Sequence, residues 1–149
     1  MATTSTIAEN RRARFDYEVK ETFEAGIELK GYEVKSAKGG RLQIAGSQVL
    51  IRGGEAWLVN SHIPPYQPKN MPVDYAEDRV RRLLLAKSEI KSMMGILQDK
   101  SQRLIPLRAY LKKGLIKLEL GLGRIRRRSD KREVIKKRTH LREMKGDSG

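Results

Sequence analysis

A period-two alternation of apolar and polar residues constrains the fold of this chain more than any other feature. From Tyr17 to Leu29 the odd positions are mostly apolar and the even positions mostly polar, which is the pattern of a β-strand with one buried face. A strand of this length does not stay flat, and the Ala25-Gly26 step near its middle predicts a bulge or kink there. The segment therefore predicts a strand that curls into a barrel.

Turn signals predict two hairpins after this strand. In each, two β-prone runs flank a short segment that ends in glycine, whose left-handed backbone suits a tight turn. The first hairpin joins Ser47 to Arg52 with Glu55 to Asn60 through Gly53-Gly54, and the second joins Leu104 to Leu111 with Leu115 to Leu122 through Lys112-Lys113-Gly114.

Short helices are predicted between the strands. The segment from Gly31 to Gly40 can hold one, and Ser88 is predicted as the N-cap of another that runs to about Asp99. Between these helices, four of the five prolines fall in residues 62–72, which predicts an irregular loop. The resulting order of elements predicts an all-β fold with short helices, arranged as an OB-fold-like Greek-key β-barrel.

The positive charge is concentrated at the C-terminal end of the chain. Of the formal net charge of +14, half lies between Arg124 and Gly149, where eleven basic residues face four acidic ones. We expect a flexible basic N-terminus at 1–14, the barrel at 15–123, and a basic tail at 124–149. The tail has too few apolar residues for a core, so we expect it to be disordered alone and to fold on a polyanionic partner, with a helix starting near Ser129 or Asp130. The alternative is a solvated tail that only confers solubility.

Several protein classes are excluded by composition and motifs. The absence of cysteine removes disulfide scaffolds, thiol nucleophiles and Cys-containing zinc sites. The longest apolar run, Leu83 to Ala86, is far too short for a bilayer span, and the N-terminus does not look like an export signal, so we expect a cytoplasmic protein. The two histidines, His62 and His140, have no partner at a recognisable spacing. No catalytic residue, metal site or cofactor is predicted.

Two glutamates on the polar face of the first strand are ambiguous. Glu24 and Glu28 are about 13 Å apart along an extended strand, which is too wide for most paired-carboxylate chemistry. Each is either a surface charge or an acceptor for nucleobase or ribose donors.

The positive charge makes nucleic acid the leading partner class, and the aromatic content indicates which form of nucleic acid is bound. Proteins that bind single-stranded nucleic acid need aromatic side chains on which the bases stack. This chain has few of them: two Phe, five Tyr and one Trp. Phe15, Tyr17, Phe23 and Trp57 lie where a barrel core is expected to use them. We therefore expect recognition of a folded RNA through its shape and phosphates.

Taken together in their order and spacing, four segments resemble the SsrA-binding protein family, also called small protein B. These segments are Asn10 to Tyr17, Glu24 to Ser36, Arg79 to Leu85, and Asp130 to Arg132 followed by Ile135 to Arg138. The resemblance implies an OB-fold monomer that binds the tRNA-like end of transfer-messenger RNA. It also implies a tail that enters the empty mRNA channel of a stalled ribosome, near the rRNA of the decoding centre.

The resemblance also assigns individual residues. Predicted RNA-binding residues are Asn10, Arg11, Arg12, Glu24, Leu84 and Lys117. Predicted ribosome-binding tail residues are Arg126, Arg127, Arg128, Asp130, Lys131, Arg132, Lys136, Lys137 and Arg138. The chain departs from the family pattern at Glu77-Asp78, where Asp-Pro is common, at Ile125, where glycine is common, and at Ser129, where an aromatic residue or histidine is common.

Two other functions are compatible with the same residues. A structural ribosomal protein or general RNA chaperone would use the basic tail as a static rRNA anchor. A nuclease using Glu24 or Glu28 with Mg²⁺ would degrade RNA in the presence of the metal. The adaptor is our preferred interpretation.

Overall fold

The computed structural model describes residues 4–127, 131–133 and 135–139, and within them it is mostly antiparallel sheet. The strands are β1 (Thr4–Glu9), β2 (Tyr17–Ile27), β3 (Gln48–Arg52), β4 (Glu55–Val59), β5 (Arg81–Leu84), β6 (Gln102–Lys112) and β7 (Leu115–Ile125). The helices are α1 (Ala13–Asp16), α2 (Gly31–Lys38) and α3 (Lys87–Ile96), with a 3-10 turn at Pro68–Asn70. Residues 131–133 and 135–139 are also helical. The predicted all-β class with short helices is confirmed.

One sheet contains these seven strands in the order β1-β6-β7-β2-β5-β4-β3, with every neighbouring pair antiparallel. Strand β3, at one end of that order, also packs close to β6, so the sheet curls back toward itself. The main core lies on the inner face and includes Ala25, Leu58, Leu83 and Leu118, none of which is more than 2% exposed.

Both predicted hairpins are present, and their turns have the expected chemistry. Gly53 and Gly54 link β3 to β4, while Lys113 and Gly114 link β6 to β7. All four residues have positive φ, between 52° and 77°. Positive φ at both central residues matches the right-handed twist of the flanking strands, which is why glycine is favoured there.

The predicted kink at Ala25-Gly26 is wrong in its position. Strand β2 changes register between Val19 and Glu21, so that Lys20 is the extra residue of a bulge. Before the bulge, Tyr17 and Val19 pack on a small second cluster around Leu107. After it, Ala25 and the other odd residues face the main core, because one inserted residue exchanges the two faces of a strand.

Two strands were missed by the sequence pattern. Strand β1 lies in the N-terminal segment expected to be flexible, and it pairs with β6 from Thr4 to Glu9. Strand β5 lies between β2 and β4 and points Arg81 inward and Leu84 outward, the reverse of the usual preference. Strand β7 ends at Ile125, two residues beyond position 123, the predicted end of the barrel.

A buried ionic cluster explains how β5 tolerates an inward arginine. The side chains of Glu33 and Arg81 are both fully buried, and the Nη2 of Arg81 donates to Glu33 Oε2 at 2.7 Å. Arg79 and the hydroxyl of Tyr75 also donate to the Glu33 carboxylate. Burial alone would raise the pKa of Glu33, but hydrogen bonds from Arg79, the Lys30 backbone and Arg81 lower it to about 2. The cluster ties α2 to β5.

Helix α2 matches its predicted span, whereas the predicted N-cap of α3 is wrong by two residues: the helix begins at Lys87 and its N-cap is Ala86, not Ser88. The backbone N–H of Ala86 donates to Glu89 Oε1 at 3.1 Å, which satisfies one of the free donors at the start of α3. Within residues 4–127, 131–133 and 135–139, no helix is long and apolar enough to cross a bilayer.

The predicted use of four aromatic residues in the core is confirmed for two of them, since Phe23 packs against the main core and Tyr17 against the small second cluster, whereas Phe15 and Trp57 belong to neither cluster. Phe15, Tyr17, Phe23 and Trp57 are all only partly buried. Trp57 pairs across the sheet with Arg82 and donates its indole N–H to the carbonyl of Arg52. The fully buried part of the main core consists of aliphatic side chains and Met93.

Candidate nucleic-acid interface

Strand register places three of the predicted RNA-binding residues on one outer face of the sheet. Gly26 of β2 pairs with Leu84 of β5 on one side and with Lys117 of β7 on the other. Directly paired residues of an antiparallel sheet point to the same face. Leu84 and Lys117 are therefore two strand spacings apart, about 10 Å.

Glu24 lies on the same face, two residues before Gly26 along β2, which is about 7 Å. Its cross-strand partner on β7 is Glu119, and the next residue in that row is Arg108 of β6. Lys117 pairs in turn with Tyr110 of β6. The outer strip defined by Glu24, Leu84, Lys117 and Tyr110 thus spans four neighbouring strands, β5, β2, β7 and β6.

The Glu24 carboxylate is held by two donors on β6. The hydroxyl of Tyr110 donates to Oε2, and the Nζ of Lys112 lies 3.3 Å from Oε1 and 3.2 Å from Oε2. These hydrogen bonds, led by the one from Tyr110, lower the pKa of Glu24 below its ordinary range despite a smaller opposing effect of burial. Glu24 is therefore ionised at neutral pH, and 41% of its side chain is exposed to an incoming ligand.

Leu84 forms an exposed apolar point beside this carboxylate. It is 47% exposed, and its Cβ would lie 3.3 Å from a Cβ built on Gly26, so the missing side chain of Gly26 gives it room. A shallow groove of about 260 Å³ includes Leu84 and two basic residues in its lining. Its lining includes Leu84, Leu115, Ile116, Lys38 and Lys117.

Glu28, the second ambiguous glutamate, lies on the same face but already has a partner. Its Oε2 is 3.4 Å from Arg82, and Arg82 also pairs with Glu55 of β4. Within the described ranges, no group of three or more His, Asp or Glu side chains is arranged to hold a metal ion. A metal-dependent role for Glu24 and Glu28 therefore gains no support.

The predicted N-terminal group lies next to the outer strip. The Nδ2 of Asn10 donates to the Pro106 carbonyl at 3.0 Å, and the Asn10 backbone N–H donates to Leu107 at 2.8 Å, so Asn10 is anchored at the end of β1. Asn10 and Arg11 line a groove of about 440 Å³ with Glu119, the cross-strand neighbour of Glu24. Arg12 is 74% exposed and lies 3.5 Å from Asp16.

Part of the predicted tail contacts the body at α1. Arg126 donates its backbone N–H to Asp16, and the Nζ of Lys131 lies 3.1 Å from the Asp16 carboxylate. The charged groups of Lys131 and Arg138 lie 5.7 Å and 5.9 Å from the centre of the Phe15 ring. The side chains of Arg127, Arg132, Lys136 and Lys137 are exposed, and the predicted residues Arg128 and Asp130 lie outside the described residues.

Sequence reasoning missed the β6 residues that support the strip. Tyr110 and Lys112 contact Glu24, and the Arg108 guanidinium lies 4.3 Å from the centre of the Tyr110 ring. The available signal was alternation along β6, which places Arg108, Tyr110 and Lys112 on one face of a strand whose intervening residues are apolar.

A family model described as SmpB protein matches residues 7–148 of the chain. The SsrA-binding protein of Gloeothece citriformis is 44% identical over 141 residues, covering 95% of this chain and 91% of the relative. The SsrA-binding protein of Nostoc punctiforme is 43% identical over 138 residues, covering 93% of this chain and 89% of the relative.

A solved structure described as "tmRNA-SmpB: a journey to the center of the bacterial ribosome" is also similar. It is 43% identical, has a TM-score of 0.66, and the match covers 85% of this chain and 92% of that chain. Because the family model and the relatives span nearly the whole sequence, the chain belongs to the SsrA-binding protein (SmpB) family.

Proposed function

We propose that this chain is a non-enzymatic RNA-binding adaptor, which binds the tRNA-like domain of transfer-messenger RNA and delivers it to stalled ribosomes. The observation that carries the proposal is the juxtaposition of Glu24, Leu84 and Lys117 on one face, joined through Gly26, in a chain of this family. The similar solved structure, described as tmRNA-SmpB at the bacterial ribosome, supports the same partners.

The outer strip offers three different chemical groups to a folded RNA. Lys117 attracts a phosphate, and Leu84 provides apolar surface against a ribose or a base. Glu24 repels phosphates but accepts hydrogen bonds from ribose 2′-hydroxyls and base N–H groups. A negative group on a chain of net charge +14 favours those RNA shapes that bring a donor, rather than a phosphate, to this point.

The N-terminal group extends the proposed surface along the sheet. The side chains of Arg11 and Arg12 are largely exposed and pair with Glu9 and Asp16 at the surface, so they can exchange these partners for RNA phosphates. Asn10 has its amide nitrogen engaged and retains its Oδ1 as an acceptor. Positive charge next to the mixed strip supports binding of a folded RNA whose phosphates contact the arginines while one of its hydrogen-bond donors contacts Glu24.

The basic tail performs the second task, which is to detect the absence of mRNA. Arg126, Arg127, Lys131, Arg132, Lys136, Lys137 and Arg138, together with Arg128 and Asp130, would lie along rRNA phosphates of the mRNA channel and decoding centre. The helical backbone at 131–133 and 135–139 supports this role, because a helix spaces its cations at a regular 1.5 Å rise per residue. The tail is proposed to be disordered when no partner contacts it.

The finer description of the fold belongs to the same proposal. The close approach of β3, at one end of the strand order, to β6, the strand next to the other end, supports an OB-like barrel, because a sheet that curls into a barrel brings its first and last strands near each other. As a functional division we propose a basic N-terminal segment at 1–14, the barrel at 15–123 and the tail at 124–149, with β1 and the last two residues of β7 adding to the sheet from the flanking segments. The adaptor acts as a monomer in the cytoplasm, where ribosomes and transfer-messenger RNA are found.

A gel-shift comparison tests this function. The unaltered chain is expected to bind the tRNA-like domain of transfer-messenger RNA more tightly than ordinary tRNA and far more tightly than duplex DNA at physiological salt. Lys117→Ala is expected to lower the slope of log affinity against log salt by about 0.7 to 0.9, the contribution of one phosphate contact. Lys91→Ala in α3 removes the same charge away from the strip and is the matched control.

Equal affinity for all three nucleic acids would contradict the adaptor and favour a general RNA chaperone. Stable presence on every ribosome after a high-salt wash would favour a structural ribosomal protein instead. An adaptor is expected to wash off and to be enriched on stalled ribosomes.

A further inference from the structure

Tyr110 of β6 stands out because its ring is buried while its hydroxyl reaches the outer face. The residue is only 4% exposed, and its hydroxyl donates a hydrogen bond to Glu24 Oε2. The Arg108 guanidinium lies 4.3 Å from the ring centre. A phenol fixed in this way is a donor with one position and little freedom to move.

Without the Tyr110 hydroxyl, the Glu24 carboxylate would not be held in one orientation. Its side chain is 41% exposed, and the neighbouring Lys112 is 37% exposed and lies almost equally far from both carboxylate oxygens. A flexible ammonium group at equal distances compensates charge but does not select one orientation of the carboxylate. Tyr110 does select one, because its single O–H is directed at Oε2 alone.

The held carboxylate still has acceptor capacity for a ligand. An ionised carboxylate has about four acceptor positions on its two oxygens. Tyr110 and Lys112 use Oε2, and Oε1 has Lys112 as its one protein donor among the described residues. Oε1 is therefore the oxygen that remains available to an RNA donor.

The phenol keeps its proton while it does this. Burial, followed by the hydrogen bond to Glu24 and the charge of Glu24, raises the pKa of Tyr110 well above its ordinary value. At neutral pH Tyr110 is thus a donor and never a competing anion.

We infer that Tyr110 is a positioning residue for RNA recognition, which holds Glu24 so that Oε1 meets a ribose 2′-hydroxyl or base N–H donor of the tRNA-like RNA. This inference rests on the proposed function and deepens it. Tyr110 itself does not contact the RNA, since its ring is covered by neighbouring side chains of the sheet.

The test compares four chains by equilibrium binding to the tRNA-like domain: unaltered, Tyr110→Phe, Glu24→Ala and the double variant. Tyr110→Phe removes only the hydroxyl, so the ring and its contact with Arg108 remain. It is expected to weaken binding by about tenfold or more, the effect of losing one well-placed hydrogen bond to a charged group. In the Glu24→Ala background the same substitution is expected to change binding by less than about twofold.

A matched control separates positioning from general loss of structure. Tyr32→Phe removes a phenol from α2, where the Tyr32 ring packs edge-on against Tyr75. It is expected to leave RNA binding unchanged, and circular dichroism is expected to give the same folded spectrum for all variants at the binding temperature.

The outcomes distinguish this inference from the proposed function. If Glu24→Ala weakens binding but Tyr110→Phe does not, Tyr110 has no positioning role and the proposed RNA surface stands. If Tyr110→Phe weakens binding equally with and without Glu24, the inference is also wrong, because the effect does not pass through the carboxylate. If Glu24→Ala binds normally, the assignment of Glu24 to the RNA surface is contradicted together with the inference.

Discussion

The buried pair of Glu33 and Arg81 gives the strongest prediction about stability. Glu33→Gln keeps the size of the side chain but removes the negative charge that compensates the guanidinium groups of Arg81 and Arg79. Arg81 would keep its hydrogen bonds to Ser61 and to two backbone carbonyls, but as a fully buried cation without a counter-ion.

The expected effect is large compared with the stability of a domain. Removing one partner of a buried ion pair costs about 3 to 5 kcal/mol, because the remaining charge is left without compensation. A domain of this size has a free energy of unfolding of about 5 to 15 kcal/mol. With a urea dependence near 2 kcal/mol per molar, the unfolding midpoint would fall by about 1.5 to 2.5 M.

Urea unfolding followed by circular dichroism and by the fluorescence of Trp57, the single tryptophan, measures this shift. Glu28→Gln is the matched control: it also removes a glutamate charge beside an arginine, but Glu28 is 62% exposed. The control is expected to change the free energy of unfolding by less than about 1 kcal/mol. Equal midpoints for the two variants would refute the argument that the buried cluster holds β5 in the sheet.

Two more predictions follow from the same structure. The pKa of Glu33 is lowered to about 2, so its contribution to stability is present above its ordinary unfolded-state pKa near 4.5 and is lost as the pH falls toward 2; urea midpoints between pH 7 and pH 3 should fall less steeply for Glu33→Gln than for the unaltered chain. Gly123→Ala would place a Cβ 2.0 Å from the backbone oxygen of Glu18 and should cost at least about 2 kcal/mol, whereas Gly95→Ala, in open space within α3, should gain about 0.5 to 1 kcal/mol in the same assay. Similar effects of the two alanines would contradict this account of the β2 bulge.

Alternation and turn chemistry were sufficient to predict most of the sheet from sequence. Strand β2 follows from its alternation of apolar and polar residues. The two hairpins and the end of α2 follow from glycines at the turns. The bulge at Lys20 has no such local signal. Its signal lies across the sheet at Gly123, where any side chain would collide with the backbone of β2.

The two missed strands show what local patterns cannot predict. Strand β5 places Arg81 inside, which is possible only because Glu33, 48 residues earlier, supplies a buried counter-ion. Strand β1 has weak alternation, and it is defined by backbone pairing with β6 rather than by an apolar face of its own.

The candidate site depended on a resemblance for its residues and on register for its geometry. Composition alone left Glu24 as either a surface charge or an acceptor. Pairing of Gly26 with both Leu84 and Lys117 brings the assigned residues onto one face, and no sequence pattern identifies such a three-strand contact. Tyr110 was missed because a tyrosine in a strand is ordinarily a packing residue.

The central claim is a division of labour between a sheet that binds a shaped RNA and a tail that acts on the ribosome. The boundary for testing it lies after Arg127, because β7 continues to Ile125 and Arg126 donates its backbone N–H to Asp16. Removing residues 128–149 therefore leaves the seven strands β1 to β7 intact.

The most direct measurement compares the full chain with the chain ending at Arg127 in two assays, affinity for the tRNA-like domain and tagging on stalled ribosomes. At a salt concentration that suppresses non-specific attraction, we expect affinities within about threefold of each other and a complete loss of tagging in the shorter chain. A shorter chain that no longer binds this RNA, or one that still supports tagging, would contradict the division of labour.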